Sequence, residues 1–563
     1  MEILPGLPRP AKAGELVSLD IELFGAKEGR LHRPTGRFAC LSIAYSPKEV
    51  YQLYDQADVP RALERIQAGR WVLMNALFDL RHLRRWADVP QRDVWDIMIV
   101  EQDLFGGYYD RFDLHSLARR WLNTELDKQV VERFAVESKM DQEMRLYSAK
   151  DALSTVLIAS KQVAAMEPQD SMPGYYWQID APAIWAVLDM PPMRVNVDGW
   201  LRLAKKCSQR AETIRRQLGF NPGSTQQTQA MLRQTSGSVP IDWRTKKPTT
   251  NEDAMEDFRD RALGSGDTKT VELINAILEY RMYSKAATTY GESWVEKYVE
   301  DGDLVYANWS VAGATRTGRM SCSDPNLQNI PVREMPEFRD LFLAFPGRNL
   351  LVSDVSQQEP RVSAWWSKDD ILLQALLEGD VYAPIAKKFK VSRDRAKSIF
   401  LGATYGLSPR GLAARERIPL EQAQQFLDDF FHHFWKTKSW LEKQERKAYS
   451  LGYVTTPLGR RCWVNTYSPQ WSNNAINYPI QGGAAEMIKL ALSTVHRETA
   501  LAGLPFNTCG VIHDETVDHL PRAERRYQSI VEKAWRSAGR TVIGSIPISV
   551  KPRIGKTWGV KGE

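Results

Sequence analysis

The stretch RDRAKSIFLGATYG, residues 393–406, repeats its chemistry at every fourth position. Residues four apart in an α-helix lie on one face, which predicts a helix with one side lined by Arg393, Lys397, Leu401 and Tyr405. That side carries two cations, then an aliphatic group, then an aromatic ring, and a glycine ends the run. Other segments of the chain indicate which ligand such a face contacts.

The composition is that of an ordinary globular chain. Of its 563 residues, 43% are hydrophobic and 26% are charged. This length corresponds to roughly three or four domains. No run is long and apolar enough to cross a membrane, and the N-terminal segment lacks the basic and apolar regions of a secretory signal. The net charge of +6 is compatible with a polyanionic partner but does not require one.

The cysteines argue against two classes of site. They are scattered along the chain without a C-x-x-C pair, at Cys40, Cys207, Cys322, Cys462 and Cys509. This spacing disfavours a disulfide framework and a zinc site. It favours a protein of a reducing compartment.

Hydrophobic periodicity divides the chain into three regions. Residues 1 to about 165 alternate predicted strands and helices, which indicates an α/β domain. Residues 176–300 are predicted to be mostly helical, with one long helix over 270–299, and their cations form either a solvated face or a phosphate-binding surface. From about residue 345 strands and helices mix again. The segment EPQDSMPGYYW, with two prolines and a glycine, predicts a domain boundary near residue 168.

A first group of carboxylates lies in the N-terminal region. SLDIEL places Asp20 and Glu22 on one face of a predicted strand, where two buried charges need a neutralising partner such as a divalent metal. Taken alone, this D-x-E pattern is more typical of a half-exposed edge strand. NALFD adds Asp79, and YSAKDA adds Tyr147 and Asp151 on one helix face.

Together these residues resemble the three motifs of the DEDD-type 3′–5′ exonucleases, in the subgroup with a tyrosine in the third motif. The motifs occur in the family's order, and each of the four family carboxylates has a counterpart. The resemblance implies that two Mg²⁺ ions, or Mn²⁺ as a substitute, are held by Asp20, Glu22, Asp79 and Asp151. Tyr147 would orient the attacking water.

A second group of carboxylates lies in the C-terminal half. VSDVSQQEPR contains Asp354 at the end of a predicted strand and Glu359 five residues later. VIHDET contains Asp514 and Glu515 at the tip of a predicted hairpin. Alone, the HDE tripeptide is more typical of an exposed turn.

In combination with the opening stretch, these segments resemble the family A DNA polymerases, the group of bacterial DNA polymerase I. DVSQQEPR is similar to motif A of that family, RDRAKSIFLGATYG to motif B, and HDE to motif C. TRTGRMSCSDPNLQNIP, residues 315–331, matches a further long signature, and NYPIQGGAAEMIK and the closing KTWG also fit. The likeness extends from about residue 185 to the end.

The resemblance implies a two-metal nucleotidyl transfer. Asp354 and Asp514, with the backbone carbonyl of Val355, would hold two Mg²⁺ ions, and Glu515 would be a supporting acid. The implied reaction joins a deoxynucleotide to the 3′-hydroxyl of a primer, with positioning and charge neutralisation as the main catalytic effects.

The resemblance also assigns contacts to nucleotide and DNA. Arg393 and Lys397 would contact the triphosphate, and Glu359 would exclude a ribose 2′-hydroxyl. The other nucleotide-binding positions are Gln357, Tyr382, Leu401 and Tyr405. Arg319 and Gln481 would read the minor groove at the primer terminus, where all correct pairs present similar acceptors, and Asn477 and His513 would support it.

Three positions depart from the family pattern. Leu401 replaces the usual phenylalanine or tyrosine, so either the contact to the nucleotide sugar is looser or the replacement is neutral. Tyr382 replaces a histidine of many relatives and removes one cationic option near the triphosphate. Pro360 replaces an aliphatic residue, which the first turn of a helix tolerates.

The expected architecture is α/β plus α+β and multidomain. A ribonuclease H-like exonuclease domain would occupy residues 1–168 and a right-hand polymerase domain residues 169–563. Within the latter we expect a thumb at about 185–312, a palm at about 313–362 and 469–563, and fingers at about 363–468. The first motif begins too close to the N-terminus for a preceding 5′ nuclease domain, which suggests a compact enzyme of the bacteriophage type.

The expected partners are primer–template DNA and dNTPs, with helicase, single-strand-binding or processivity proteins as further partners that would fit. We expect a monomer without a membrane partner, in the cytoplasm of a bacterium or of a phage-infected host. One alternative is a single-subunit RNA polymerase, and another is a catalytically idle DNA-binding protein. Glu359 and the complete carboxylate sets argue against both.

Overall fold

The computed structural model describes residues 1–25, 35–127, 129–166, 172–242, 245–332, 334–416, 418–521 and 525–560. The chain groups into two compact units. The first comprises Met1–Pro191, Ala307–Gln328 and Leu351–Arg553, and the second comprises Pro192–Tyr306, Asn329–Leu350 and Ile554–Glu563. The boundary predicted at 168–169 lies outside the described residues. The thumb, palm and fingers limits stay predictions.

A mixed sheet forms the N-terminal part of the first unit. Its strands are β1 (Ile3–Pro5), β2 (Leu16–Phe24), β3 (Arg37–Ser46), β4 (Glu49–Leu53), β5 (Arg70–Leu73) and β6 (Val94–Asp96), in the order β1-β4-β3-β2-β5-β6. β2 pairs antiparallel with β3 and parallel with β5. Strand β2 is confirmed, and its two-residue repeat places Asp20 and Glu22 on the same face, as predicted.

Helices of the same region cover the sheet. They are α1 (Val59–Arg65), α2 (Ala76–Leu83), α3 (Ile97–Phe105), α4 (Leu114–Leu122), α5 (Gln129–Val136), α6 (Gln142–Met166), α7 (Met172–Tyr175) and α8 (Ala181–Leu188). Helix α6 packs its small residues Ala149 and Ala152 against Ala44 and Val50 of the sheet. This close packing brings the polar side chains of α6 near those of β2.

The second unit is mainly helical, as predicted. It contains β7 (Met193–Val195), α9 (Val197–Leu218), α10 (Thr225–Ser236), α11 (Glu252–Gly264), α12 (Thr268–Thr289), α13 (Glu292–Tyr298), β8 (Val299–Glu300), β9 (Leu304–Val305), α14 (Glu337–Asp340) and β12 (Phe342–Leu343). The single helix predicted over 270–299 is wrong, because the chain breaks between α12 and α13. The break lies at Gly291, where a β-carbon would overlap the carbonyl oxygen of Ala287.

A second sheet in the first unit carries the C-terminal carboxylates. Its order is β16-β17-β13-β18, with β13 (Arg348–Val355), β16 (Thr508–Ile512), β17 (Glu515–Pro521) and β18 (Val550–Gly555). Two hairpins, β10 (Asn308–Ala314) with β11 (Arg319–Ser323) and β14 (Tyr453–Thr455) with β15 (Arg461–Trp463), belong to the same unit. The turn between β16 and β17 confirms the predicted hairpin tip.

Further helices complete this unit. They are α15 (Gln358–Ser367), α16 (Asp370–Leu377), α17 (Tyr382–Phe389), α18 (Arg393–Thr404), α19 (Pro409–Glu416), α20 (Leu420–His433), α21 (Trp435–Leu451), α22 (Trp471–Leu501) and α23 (Arg525–Ile543). Those from α15 to α20 surround a separate apolar core. The opening stretch is confirmed as a helix: Ser392 caps α18 by accepting from Arg395 N, and Gly406 has a φ of 80° just beyond its end. Among the described residues, no helix is both long and apolar enough to span a bilayer.

Candidate active sites

The exonuclease-like residues meet where β2, α2 and α6 converge. Asp20 and Glu22 lie on β2, and Ile21 between them donates its backbone N–H to Asp79 Oδ1 at 3.1 Å. Asp79 stands in the first turn of α2, directly after β5. Tyr147 and Asp151 occupy one face of α6. The structure therefore brings together these five predicted residues.

Burial and repulsion dominate the electrostatics of this carboxylate cluster. Burial raises the pKa of Asp20, Glu22 and Asp79 well above the usual range, and repulsion from neighbouring carboxylates adds to the effect. Burial raises the pKa of Asp151 to about 7, against a hydrogen bond from Tyr147 that lowers it. Four carboxylates in such a position favour a cationic ligand, because a cation offsets their mutual repulsion.

The donor atoms of the cluster fit a hard divalent cation. Asp20 Oδ2 and Asp151 Oδ1 are buried and accept no hydrogen bond in the described part of the chain. Carboxylate oxygens are the preferred protein ligands of Mg²⁺ and Mn²⁺. Over the described ranges, no group of three or more His, Cys, Asp and Glu side chains is already arranged as a metal site, so the fit rests on donor chemistry and on these two open oxygens.

The polymerase-like carboxylates lie side by side in the second sheet. Asp354 is at the end of β13 and Asp514 is in the turn between β16 and β17. The backbone N–H of Val355 donates to the carbonyl oxygen of Asp514 at 3.1 Å, which joins the two segments. Burial, then repulsion from Asp514, raises the pKa of Asp354, and burial likewise raises that of Asp514. Asp354 and Asp514 thus form a second acidic centre.

Cations surround this second centre. Arg553, Lys551 and Lys397 each lower the pKa of Asp354, against the larger effect of burial. Arg553 also donates to Glu515 Oε2 at 2.6 Å, and Glu515 is buried. Lys397 was predicted from the helix pattern, whereas Arg553 and Lys551 were missed. Their only signal is an i, i+2 spacing on β18, which faces both cations to the same side of the strand.

The four residues predicted to share one face of helix α18 have different surroundings. Arg393 and Lys397 are exposed, while Leu401 and Tyr405 are half-buried. Leu401 packs against the apolar core of the surrounding helices. Arg393 donates from Nε to Asp380 Oδ2 at 2.6 Å, a partner that sequence reasoning missed. The end of this face with Arg393 and Lys397 is therefore charged and exposed to solvent, whereas the Leu401 end is packed against the apolar core.

Two further residues that were predicted to bind the nucleotide, Gln357 and Tyr382, make contacts within the protein. The side chain of Gln357, a residue with a φ of 56°, donates to Gly379 O at 3.1 Å and accepts from Val381 N at 3.0 Å. Tyr382 is 3% exposed, and burial followed by the nearby Glu359 raises its pKa, so it remains a neutral phenol. These contacts hold the 379–382 segment beside motif A.

The predicted DNA-contacting residues lie on three different elements. Arg319 begins β11 and donates from Nη2 to Glu359 Oε1 at 2.5 Å, so a predicted primer contact and the predicted sugar filter form an ion pair. Asn477 and Gln481 are half-buried on α22. His513 is exposed in the β16–β17 turn with a φ of 56°. The pairing of Arg319 with Glu359 was not foreseen from the sequence, because 40 residues separate them.

Comparison with known proteins gives two family matches. Residues 200–560 match the DNA polymerase family A, and residues 10–163 match the 3′–5′ exonuclease family. The DNA polymerase I of Chloroflexus aurantiacus is 30% identical over 454 residues, which is 73% of this chain and 46% of that protein. The DNA polymerase I of Aquifex aeolicus is 27% identical over 553 residues, which is 90% of this chain and 91% of that protein.

A solved structure supports the fold along the whole chain. It is described as the POL domain of Pol1 from M. smegmatis in complex with DNA primer-template and dNTP, and it superposes with a TM-score of 0.81 at 22% identity, covering 98% of this chain and 99% of that one. The length of the curated relatives varies: this chain spans about half of several, including 54% of the Caldicellulosiruptor bescii polymerase, but nearly all of the Aquifex protein. The chain belongs to the DNA polymerase family A and carries an N-terminal 3′–5′ exonuclease domain.

Proposed function

We propose that this chain is a template-directed DNA polymerase that adds deoxynucleotides to a primer 3′-hydroxyl and removes mismatched ends with its 3′–5′ exonuclease. The observation that carries the proposal is the pair Asp354 and Asp514, joined through the Val355–Asp514 backbone bond and faced by Lys397 of α18. This arrangement combines acidic ligands for cations with a cationic helix for a triphosphate.

The substrates of the proposed reaction are primer–template DNA and dNTPs. Arg393 and Lys397 are exposed on α18 and are suited to bind phosphate oxygens through charge-assisted hydrogen bonds. Binding of a triphosphate would compete with Asp380 for the guanidinium of Arg393. Glu359, held by Arg319, would lie against the sugar of the nucleotide and exclude a 2′-hydroxyl.

The metal requirement of the proposed activity is Mg²⁺, with Mn²⁺ as a substitute. Asp354, Asp514 and the carbonyl of Val355 would hold the ions of the polymerase site, and the ions of the exonuclease site would be held by Asp20, Glu22, Asp79 and Asp151. Such ions lower the pKa of the attacking oxygen and neutralise phosphate charge when bound. The chain's own residues bind and orient the substrates.

Primer extension tests the proposal. Purified protein with a defined primer–template, Mg²⁺ and all four dNTPs is expected to extend the primer to the template end, and EDTA is expected to stop both extension and 3′-end degradation. The same assay with rNTPs separates the proposal from the RNA polymerase alternative. Preference for rNTPs, or DNA binding without extension, would contradict the proposal.

The biological setting follows from the substrates. DNA and dNTPs are found together in the bacterial cytoplasm, and the similar proteins named above are bacterial. We therefore place the enzyme in the cytoplasm of a bacterium or of a phage-infected cell, in replication or repair. Helicase, single-strand-binding and processivity proteins are candidate partners, to be tested as additions to the extension assay.

A further inference from the structure

A buried arginine joins the exonuclease domain to the hairpin that carries Arg319. Arg460 lies between β14 and β15 and is 0% exposed. Its guanidinium donates from Nε to Asp103 Oδ1 at 3.0 Å, and Asp103 is also 0% exposed. Asp103 is on α3, within the part of the chain that matches the 3′–5′ exonuclease family, whereas Arg460 belongs to the polymerase match.

The other end of the same guanidinium contacts the turn of the β10–β11 hairpin. Arg460 Nη2 donates to the carbonyl oxygen of Thr315 at 2.6 Å, and Nη1 donates to that of Arg316 at 3.4 Å. Nη2 also reaches the carbonyl of Gln102 on α3, at 2.8 Å. One planar group therefore bonds the end of α3 and the hairpin turn at once. A lysine, which lacks this planar fork, is not able to make the same set of contacts.

Two glycines near Arg460, Gly106 and Gly318, stand where the surrounding atoms leave no room for a β-carbon. A β-carbon at Gly106 would overlap the carbonyl oxygen of Thr315, and one at Gly318 would lie 2.9 Å from Arg460 Nε. Trp463 N donates to Gly106 O at 3.1 Å, and Trp463 Nε1 donates to Leu104 O at 2.7 Å. The end of α3, the β14–β15 hairpin and the β10–β11 turn thus form one tightly packed joint.

Other buried charges secure the same joint. Lys489 of α22 pairs with Asp180, and both are fully buried. Asp180 lies close to Asp103: burial and repulsion from Asp180 raise the pKa of Asp103, whereas Arg460 and Lys489 lower it. The two acids and two bases therefore form one buried cluster. Of these buried charged residues, Arg460 is the one that contacts the β10–β11 turn, through Thr315 and Arg316. Arg319 lies three residues beyond Arg316.

We propose that Arg460, held by Asp103 of the exonuclease domain, is a positioning residue for Arg319 and hence for recognition of the primer terminus. The inference rests on the proposed polymerase function. It gives the exonuclease domain a second role, as part of the support of the polymerase site. Displacement of the β10–β11 turn would move Arg319 relative to Glu359, its ion-pair partner, and so weaken the check on base-pair geometry.

The test measures how strongly the polymerase favours a matched over a mismatched primer terminus. The background is full-length protein with Asp20→Ala and Glu22→Ala, so that mismatched ends are not degraded. Arg460→Lys and Asp103→Asn are each expected to lower the ratio of matched to mismatched kcat/KM by roughly tenfold, since small displacements at an active site have effects of this size or larger. In the exonuclease-competent chain, degradation of single-stranded DNA should stay within about twofold of wild type, because the exonuclease carboxylates are untouched.

Glu101→Gln is the matched control. Glu101 is a buried acid on the same helix, two residues from Asp103, but its bonds go to Arg120, Trp121 and Gln162 within the exonuclease domain. This variant should leave the matched-to-mismatched ratio unchanged. An equal loss with Glu101→Gln would mean general destabilisation and would overturn the inference.

A double-mutant cycle identifies the route of the effect. If Asp103 acts through Arg319, adding Asp103→Asn to Arg319→Ala should change the ratio no further. Additive effects, an unchanged ratio in the single variants, or parallel loss of single-strand degradation would each overturn the inference. If Arg460→Lys melts below the assay temperature, the result rests on Asp103→Asn, which keeps nearly the size and shape of aspartate but removes the negative charge that holds Arg460. Failure of the wild-type chain to extend any primer would instead refute the proposed function.

Discussion

Leu401 occupies the position on α18 between the exposed cation Lys397 and Tyr405, and its side chain is half-buried against the apolar core of the surrounding helices. An aliphatic side chain there contributes bulk but no ring face or hydroxyl toward a nucleotide sugar. Leu401 is therefore partly a core residue, a role that an aliphatic side chain can fill. The effect of Leu401 on recognition of the nucleotide sugar is a separate property.

The first prediction concerns selection at this residue. Leu401→Tyr and Leu401→Phe should change the ratio of ddNTP to dNTP incorporation, because each adds a ring to the side of α18 that faces the proposed nucleotide. Single-nucleotide incorporation kinetics give the ratio directly. Identical ratios in all three proteins would mean that the position is silent in sugar recognition.

A second prediction concerns the Arg319–Glu359 ion pair. Glu359→Ala removes the carboxylate that is proposed to exclude the 2′-hydroxyl and releases Arg319 from its partner. We expect rNTP incorporation to rise relative to dNTP incorporation by at least about tenfold, as expected for loss of one unfavourable contact. Arg319→Ala is the matched comparison, because it breaks the same pair but keeps the carboxylate. If Arg319→Ala admits rNTPs equally well, Glu359 is not the filter.

At the scale of elements, strand β2 and helix α6 pack against each other and bring together residues of the candidate exonuclease site. β2 supplies Asp20 and Glu22 by its two-residue repeat, and α6 supplies Tyr147 and Asp151 by its four-residue spacing. These residues could be predicted because each motif sits on one regular element. The contact of α6 with the sheet through Ala149 and Ala152 could not be predicted, since it depends on packing between segments that are distant in the sequence.

The third prediction separates the two activities. Asp20→Ala with Glu22→Ala should lower degradation of a mismatched 3′ end by at least about a hundredfold, through loss of cation binding and of water positioning. Extension of a matched primer should be retained, because the polymerase carboxylates lie on another sheet. A 5′-labelled primer on a gel reports both reactions, as shorter and longer products. Persistent degradation would show that the nuclease centre lies elsewhere.

Helix α22 carries a titratable group that links stability to pH. Burial raises the pKa of Glu486 from an ordinary 4.5 to about 8, partly offset by hydrogen bonds from Thr456 and Leu458 N. Between these two values the folded chain holds more protons than the unfolded chain, so the free energy of unfolding falls as pH rises through this window. Below this pH window the stabilisation by protonated Glu486 is fully present, and above the window that stabilisation is lost.

The fourth prediction concerns the fall in the free energy of unfolding with rising pH. The Tm of wild type should fall relative to that of Glu486→Gln as pH increases from about 5 to 8, since glutamine imitates the protonated side chain without titrating. Differential scanning calorimetry of both proteins across this range measures the difference. A constant difference, or a rise with pH, would contradict a raised pKa at this position.

At the scale of the whole chain, the polymerase and exonuclease motifs were visible in the sequence, and the comparisons confirm the family and both domains. Their connection was not visible. Asp103 and Arg460 are 357 residues apart, and neither belongs to a periodic pattern or motif that would predict their contact. The cations Lys551 and Arg553 were missed for the same reason, because strand β18 is brought to the acidic centre by its pairing with β13, which is distant in the sequence. Long-range pairing is fixed by tertiary structure, which local spacing does not encode.

We propose that Asp354 and Asp514 form the polymerase centre. Asp518→Asn provides a matched control, because Asp518 is a buried acid on the adjacent strand β17, bonded to Thr508 Oγ1 at 2.5 Å and to Tyr527 OH at 3.0 Å. Both variants alter an acid of the same hairpin region. Only Asp514 lies beside Asp354.

The most direct test is rapid-quench measurement of single-nucleotide addition by wild type, Asp514→Asn and Asp518→Asn, with primer–template binding measured in parallel. Asp514→Asn should slow addition by at least about a hundredfold while DNA binding is retained, because charge at the metal and phosphate site is lost. Asp518→Asn should extend at a rate close to that of wild type. Normal addition by Asp514→Asn, or an equal loss in Asp518→Asn, would contradict the assignment.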